Sequence, residues 1–228
     1  MGSGPGVRRS DSRVAGAPRM KAALLAMVEA AVAARNPVGL ALPVGGRGVA
    51  RVVTLDDPEL GGVLRESVRR DRPQMVETEE GAFFLRPYAP RLRMVIIGAV
   101  HITASLVSMA RTADFEVVLI DPRKGFARAE RWPGLAVHDD YPDDVMAGLG
   151  LDARTAVIAL THDPKIDDPG LEAALHSNVF YIGALGSRRT HAARLERLAT
   201  LGFDERSLKR IHGPIGLDIR AATPAEIA

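Results

Sequence analysis

Two short stretches hold most of the residues that can do chemistry. Thr161-His162-Asp163 sets a hydroxyl, an imidazole and a carboxylate side by side. Neighbours in sequence point different ways, and no serine nucleophile elbow accompanies them, so the trio is not a catalytic triad. It suits a hydrogen-bonding rim for a polar heterocycle. Gly183-Ala-Leu-Gly186-Ser187-Arg188-Arg189 is the second stretch. Gly186 permits a tight turn, Ser187 can cap the helix that follows, and the free backbone N–H groups there suit a phosphate. Arg188 and Arg189 can add bidentate contacts to an oxyanion. Arginine at a helix N-terminus opposes the helix dipole, and a bound anion removes that conflict.

Three further places belong with them. Gly98-Ala-Val-His101 sits where a dinucleotide fold puts its phosphate turn, but Val100 and Thr103 stand at the second and third glycine positions. A β-branched side chain at the second position keeps backbone away from a pyrophosphate. A strand-to-helix turn with a buried glycine therefore accounts for Gly98 better than nucleotide contact. His101, at the helix start, either caps the turn or faces an anion. Asp121-Pro-Arg123 closes a strand 23 residues after Gly98, where a ribose-binding acid would lie. An internal Asp–Arg pair is the alternative. Gly213-Pro-Ile-Gly216-Leu-Asp218 has no helical or strand pattern, and its glycines suggest backbone that approaches a ligand or the sheet edge closely.

The elements that must position these residues change character near position 90. Before it, Met20 to Arg35 reads as an amphipathic helix, and Val38–Leu42 and Gly48–Leu55 as strands around a glycine turn. A helix is expected from Asp57 to about Arg70, then a hairpin of Gln74–Thr78 with Ala82–Arg86, and a linker over Pro87–Pro90. After it come strands at Arg93, Glu116, Leu135, Thr155 and Val179, alternating with helices at 102–113, 142–149, 168–177 and from Arg188. That alternation predicts a parallel, doubly wound sheet. The expected fold class is α/β, a Rossmann-like domain over 91–228 preceded by a small α+β domain over 20–90. Residues 1–19, rich in Gly, Ser, Pro and Arg, are expected to form a disordered tail.

Composition narrows the partners. Thirty Lys and Arg against 28 Asp and Glu leave a formal charge of +2, with no basic stripe, and ten aromatic residues offer no stacking platform. No nucleic acid is expected. No stretch is apolar enough to span a bilayer, and Arg8-Arg9 is followed by no clean apolar region, so the expectation is a cytoplasmic protein without membrane insertion. Cysteine is absent, which removes disulfides, thiolate metal sites and cysteine nucleophiles.

Thr161-His-Asp-Pro-Lys-Ile-Asp-Asp168, Tyr181-Ile-Gly-Ala-Leu-Gly-Ser-Arg-Arg-Thr190 and Pro214-Ile-Gly-Leu-Asp-Ile219, in this order, resemble the xanthine dehydrogenase accessory (XdhC/CoxI) family. Asp121-Pro-Arg123 and the turn ending in His101 match it too. The resemblance implies a molybdenum cofactor (molybdopterin) as bound cargo, held for a molybdenum hydroxylase client. A cysteine desulfurase as sulfur source and a homodimer are compatible with it. Asp121, Thr161, His162 and Asp163 would bracket the pterin, with Ser187, Arg188 and Arg189 on its phosphate. Val100 stands where the family commonly has glycine, and nothing before Pro87 matches the family's cysteine-containing N-terminal segment. Relatives usually continue into a helix beyond the point where this chain ends. Without cysteine the chain cannot itself carry a persulfide. The reading is a non-enzymatic chaperone or insertion factor, with an NAD(P)-dependent oxidoreductase as the alternative and a docking scaffold as a third.

Overall fold

The computed structural model describes residues 22–45 and 48–228. The expected tail at 1–19 and the tip of the first glycine turn lie outside them. The chain divides into two compact units between Pro90 and Arg91.

The first unit is a four-stranded antiparallel sheet with two helices. It comprises α1 (Ala22–Ala33), β1 (Val38–Val44), β2 (Arg51–Val53), α2 (Gly61–Arg70), β3 (Gln74–Thr78) and β4 (Gly81–Tyr88), in strand order β2-β1-β4-β3. Leu60, Leu64, Phe83 and Leu85 form its core. Several boundaries differ from expectation. β1 runs on through Pro43, which pairs with Phe83 on β4. β2 reaches only Gly39–Ala41, so the proline sits where β1 is an edge strand and a missing N–H is tolerated. The helix starts at Gly61 rather than Asp57, because the Asp57 carboxylate accepts from the Glu59 and Leu60 amides and makes a turn of the residues between. Pro87 and Tyr88, expected in a linker, are paired strand residues opposite Gly39 and Val38.

The second unit alternates strand and helix. Its elements are β5 (Arg93–Ile97), α3 (His101–Thr112), β6 (Glu116–Ile120), a 3-10 turn (Ala129–Arg131), β7 (Ala136–His138), α4 (Pro142–Leu149) and β8 (Thr155–Ala159). They continue with α5 (Pro164–Leu175), β9 (Tyr181–Ala184), α6 (Arg188–Thr200), α7 (Glu205–Leu208), β10 (Ile211–His212) and α8 (Pro224–Ile227). The six strands are ordered β10-β9-β8-β5-β6-β7, and all pair in parallel. This is the order of a Rossmann fold, with the direction of winding reversing between β5 and β8.

Central parallel strands are buried on both faces and read as continuous apolar runs. β8, Thr-Ala-Val-Ile-Ala, is buried at every position. Alternate residues feed two cores. Val95, Ile97, Val157 and Ile182 meet α4, α5 and α6. Ile96, Leu119 and Ile158 meet Val107 of α3, Trp132 and Ile215.

The helix expected from Asp168 begins at Pro164 instead. Asp163 is its cap, accepting from the Lys165 amide, and proline at the first helical position needs no donor. Pro169 looks like a breaker in sequence but lies inside α5. The carbonyl it leaves without a helical partner belongs to exposed Lys165, where water can serve it. β10, α7 and α8 are short and were not expected. α8 is held by a capping box between Thr223 and Glu226.

Candidate functional site

Parallel strands deliver their carboxyl ends to one edge, and the point where the winding reverses, here between β5 and β8, is where a ligand crevice opens in folds of this kind. Gly98 ends β5, Asp121 ends β6, Thr161 follows β8 and Gly186 follows β9. Gly98 has φ +113, and a Cβ built on it would lie 2.8 Å from Thr161 Cγ2 and 3.3 Å from the Thr161 nitrogen. The two loops therefore touch, and glycine is needed for both conformation and space. Gly98→Ala is expected to lower unfolding stability by about 2–3 kcal/mol, read as a shifted urea midpoint at unchanged slope.

Asp121 has no exposed surface. One carboxylate oxygen accepts from the Ala99 amide at 2.7 Å and Arg123 Nη2 at 2.7 Å. The other takes the Arg123 amide at 3.0 Å and its Nε at 2.8 Å. Burial raises the Asp121 pKa, but the Arg123 guanidinium and the two amides outweigh it and leave the carboxyl below the usual range. Arg123 is raised in turn, chiefly by its bond to Asp121. The internal pair is thus made, and Asp121 braces the turn after β5 rather than lining the crevice. Arg123 stays partly exposed, with its guanidinium 4.5 Å from the Phe126 ring centroid.

Thr161, His162 and Asp163 separate in role. Thr161 Oγ1 donates to Asp167 Oδ1 at 2.7 Å, and Asp163 caps α5. His162 has a left-handed backbone, φ +64, and an exposed side chain. Its Nδ1 would lie 3.8 Å from a Cβ on Gly186, which brings the β8 and β9 loops together. Ser187 caps α6 by accepting from the Thr190 amide at 3.1 Å. Arg188 and Arg189 are exposed, and neither pairs with a carboxylate among the described residues. The first-turn amides of such a helix have no intrahelical acceptors. His101 is exposed at the start of α3.

Gly183 and Gly213 each pack closely against a neighbouring side chain. Gly183 is buried within β9 against Ile215, so it packs the loop. Gly213 lies against the imidazole of His191, where a Cβ would come within 2.2 Å of Nδ1. His191 therefore sits under the last loop rather than on open surface. Burial, with Arg194 nearby, lowers its pKa. Ile215 donates its amide to the Ala184 carbonyl at 3.1 Å, which lays the 213–218 loop along the end of β9. Gly216, φ +97, is exposed in that loop.

Two residues escaped sequence reasoning. Asp167 and Arg194 are 1% and 2% exposed and 3.7 Å apart. Asp167 accepts from the Thr161 amide and hydroxyl and from the His162 amide, and Arg194 Nη2 donates to the Leu185 carbonyl at 3.0 Å. Burial raises the Asp167 pKa against the pull of these donors, and lowers that of Arg194. The available signal was a charged residue in line with the buried stripe of each helix.

The crevice thus offers cationic and amide donors, and its buried acids face inward. The XdhC Rossmann domain model matches residues 94–228, more than half of the chain. The chain belongs to the XdhC family. Among similar proteins, the molybdenum cofactor insertion chaperone PaoD of Escherichia coli K12 is 44% identical over 81 residues, 36% of this chain and 25% of that protein. YqeB of the same organism, an uncharacterized protein, is 28% identical over 145 residues, 64% of this chain and 27% of its own length. The XdhC chain thus spans about a quarter of the length of these relatives. A crystal structure of a protein from Bacillus halodurans, described as a xanthine dehydrogenase, is similar in fold. Its TM-score is 0.64 at 24% identity, covering 89% of this chain and 62% of that one. No helix among the described residues is long and apolar enough to cross a membrane.

Proposed function

We propose that this chain is a cytoplasmic accessory protein that holds the molybdenum cofactor, molybdopterin, for a molybdenum hydroxylase of the xanthine dehydrogenase or CO dehydrogenase-like kind. The observation that carries the reading is the donor set at the strand ends. Ser187, Arg188 and Arg189 open α6 without an internal anion to serve, beside the exposed His162 ring. That combination suits a phosphate next to a polar heterocycle. Membership of the XdhC family and likeness to a protein named as a molybdenum cofactor insertion chaperone support the choice of cargo.

In this reading Arg188 and Arg189 hold the phosphate on the α6 amides, and His162 and Arg123 meet the pterin side. Thr161, Asp163, Asp121 and Gly98 shape the loops behind them. His101, Gly213 and Gly216 border the opening. The role is maturation rather than catalysis. The chain holds and protects the cofactor, and a cysteine desulfurase or another subunit delivers sulfur, because no thiol in this sequence can carry it.

An NAD(P)-dependent oxidoreductase fits less well. The acid that would hold a ribose diol is sealed against Arg123 and Ala99, and Val100 stands where backbone would approach the pyrophosphate. Calorimetric titration separates the two. Molybdopterin is expected to bind, and NAD, NADH, NADP and NADPH to give no heat at micromolar concentrations. Micromolar binding of any nicotinamide dinucleotide would favour the oxidoreductase.

A further inference from the structure

Asp167 and Arg194 sit beneath the crevice, contribute nothing to its surface, and make contacts that reach both of its loops. Asp167 Oδ1 takes the Thr161 amide at 3.2 Å and hydroxyl at 2.7 Å, and Oδ2 takes the His162 amide at 3.1 Å. These bonds hold His162 in its left-handed conformation, which side chains other than glycine rarely adopt. On the other side Arg194 Nη2 reaches the Leu185 carbonyl, immediately before the turn at Gly186, and lies 3.7 Å from Asp167 Oδ2. A chain of contacts therefore runs from the loop after β8 to the loop after β9 through two buried charges.

The arrangement is poor as a stabilising device. Arg194 Nε and Nη1 are buried without a hydrogen-bond partner. A buried ion pair with unmet donors costs desolvation that its Coulomb attraction does not fully return, and apolar replacements of such pairs are often no less stable. Arg197, one turn on, pairs with Asp168 on α5 and not with either loop.

We infer that Asp167 and Arg194 are the positioning residues of the crevice, a buried strut that holds the His162 loop and the Gly186-Ser187 loop as one unit in the geometry that grips the cofactor. The inference rests on the proposed function for its ligand, but the coupling between the loops can be read without one. Arg194 is a positioning residue because it acts through the Leu185 carbonyl and Asp167.

The test uses the full chain with Arg194→Met, Arg194→Lys and Asp167→Asn, read by amide hydrogen exchange and by equilibrium binding of molybdopterin. Arg194→Met is expected to speed exchange about tenfold at the bonded amides of 161–163 and at the Leu185 amide, which donates to the Ala159 carbonyl, leaving the β5 and β8 amides unchanged, and to weaken molybdopterin binding about tenfold. Arg194→Lys, which keeps the charge but offers one donor head, is expected to recover part of both effects. Asp167→Asn is expected to loosen the Leu185 amide as well as its own loop. Loosening of 161–163 with no change at Leu185 in Asp167→Asn would overturn the strut. So would unchanged molybdopterin affinity in a folded Arg194→Met chain. If Arg194→Met does not fold, the Lys and Asn variants decide by the same readings. A wild-type chain that binds no molybdopterin would remove the proposed function, and the exchange pattern alone would then decide the coupling.

Discussion

Alanine at both Arg188 and Arg189 is expected to weaken molybdopterin binding about 100-fold or more, with the fold intact. Charge-assisted hydrogen bonds contribute ~1.5–3 kcal/mol each, and two act together on one phosphate. Both side chains are exposed in the first turn of α6 and have no internal partner among the described residues, so their removal breaks nothing in the free protein. Taking two positive charges from a helix N-terminus even relieves the dipole conflict, and thermal unfolding should shift slightly upward. Equilibrium dialysis of the double variant reads the loss. A folded double variant with wild-type affinity would move the phosphate away from α6.

Asp121→Ala is expected to reduce unfolding stability at neutral pH by about 2–3 kcal/mol, because it leaves the Ala99 amide and the Arg123 guanidinium without their acceptor. The effect depends on pH with a definite sign. The folded pKa of Asp121 lies below its unfolded value of about 3.9. Its contribution is therefore complete above about pH 4 and is lost as pH falls through the folded value. Urea unfolding at a series of pH values should show the wild type and the variant converging in acid. A gap that stays constant as pH falls would mean that packing, and not the ionised pair, is what Asp121 supplies.

The sheet was legible because parallel strands buried on both faces are apolar throughout. Arg93–Ile97, Glu116–Ile120 and Thr155–Ala159 stand out against their surroundings. The start of α5 was not, since Asp163-Pro164 is at once a strand exit and a helix cap, and Pro169 resembles a stop. β10 is two residues long, too short for any period to register. At the site, residue types such as Gly186, Ser187 and the two arginines announced a turn, a cap and free cations. Sequence could not show how charges pair off in space. Asp121 reads either as a ribose-binding acid or as half of an internal pair, and only Arg123 folded back on it, two residues away, decides between them. Asp167 and Arg194 lie 27 positions apart, and only the packing of α5 and α6 at neighbouring strand ends brings them together.

Whether the crevice carries molybdopterin is read by mass spectrometry of the small molecules released from the freshly purified chain, expressed in a host that makes the cofactor. The expected result is molybdopterin or its oxidation product, in stoichiometric proportion to protein and lost from the Arg188→Ala, Arg189→Ala double variant. Release of a nicotinamide dinucleotide in its place, or of no pterin from a folded chain, would contradict the claim.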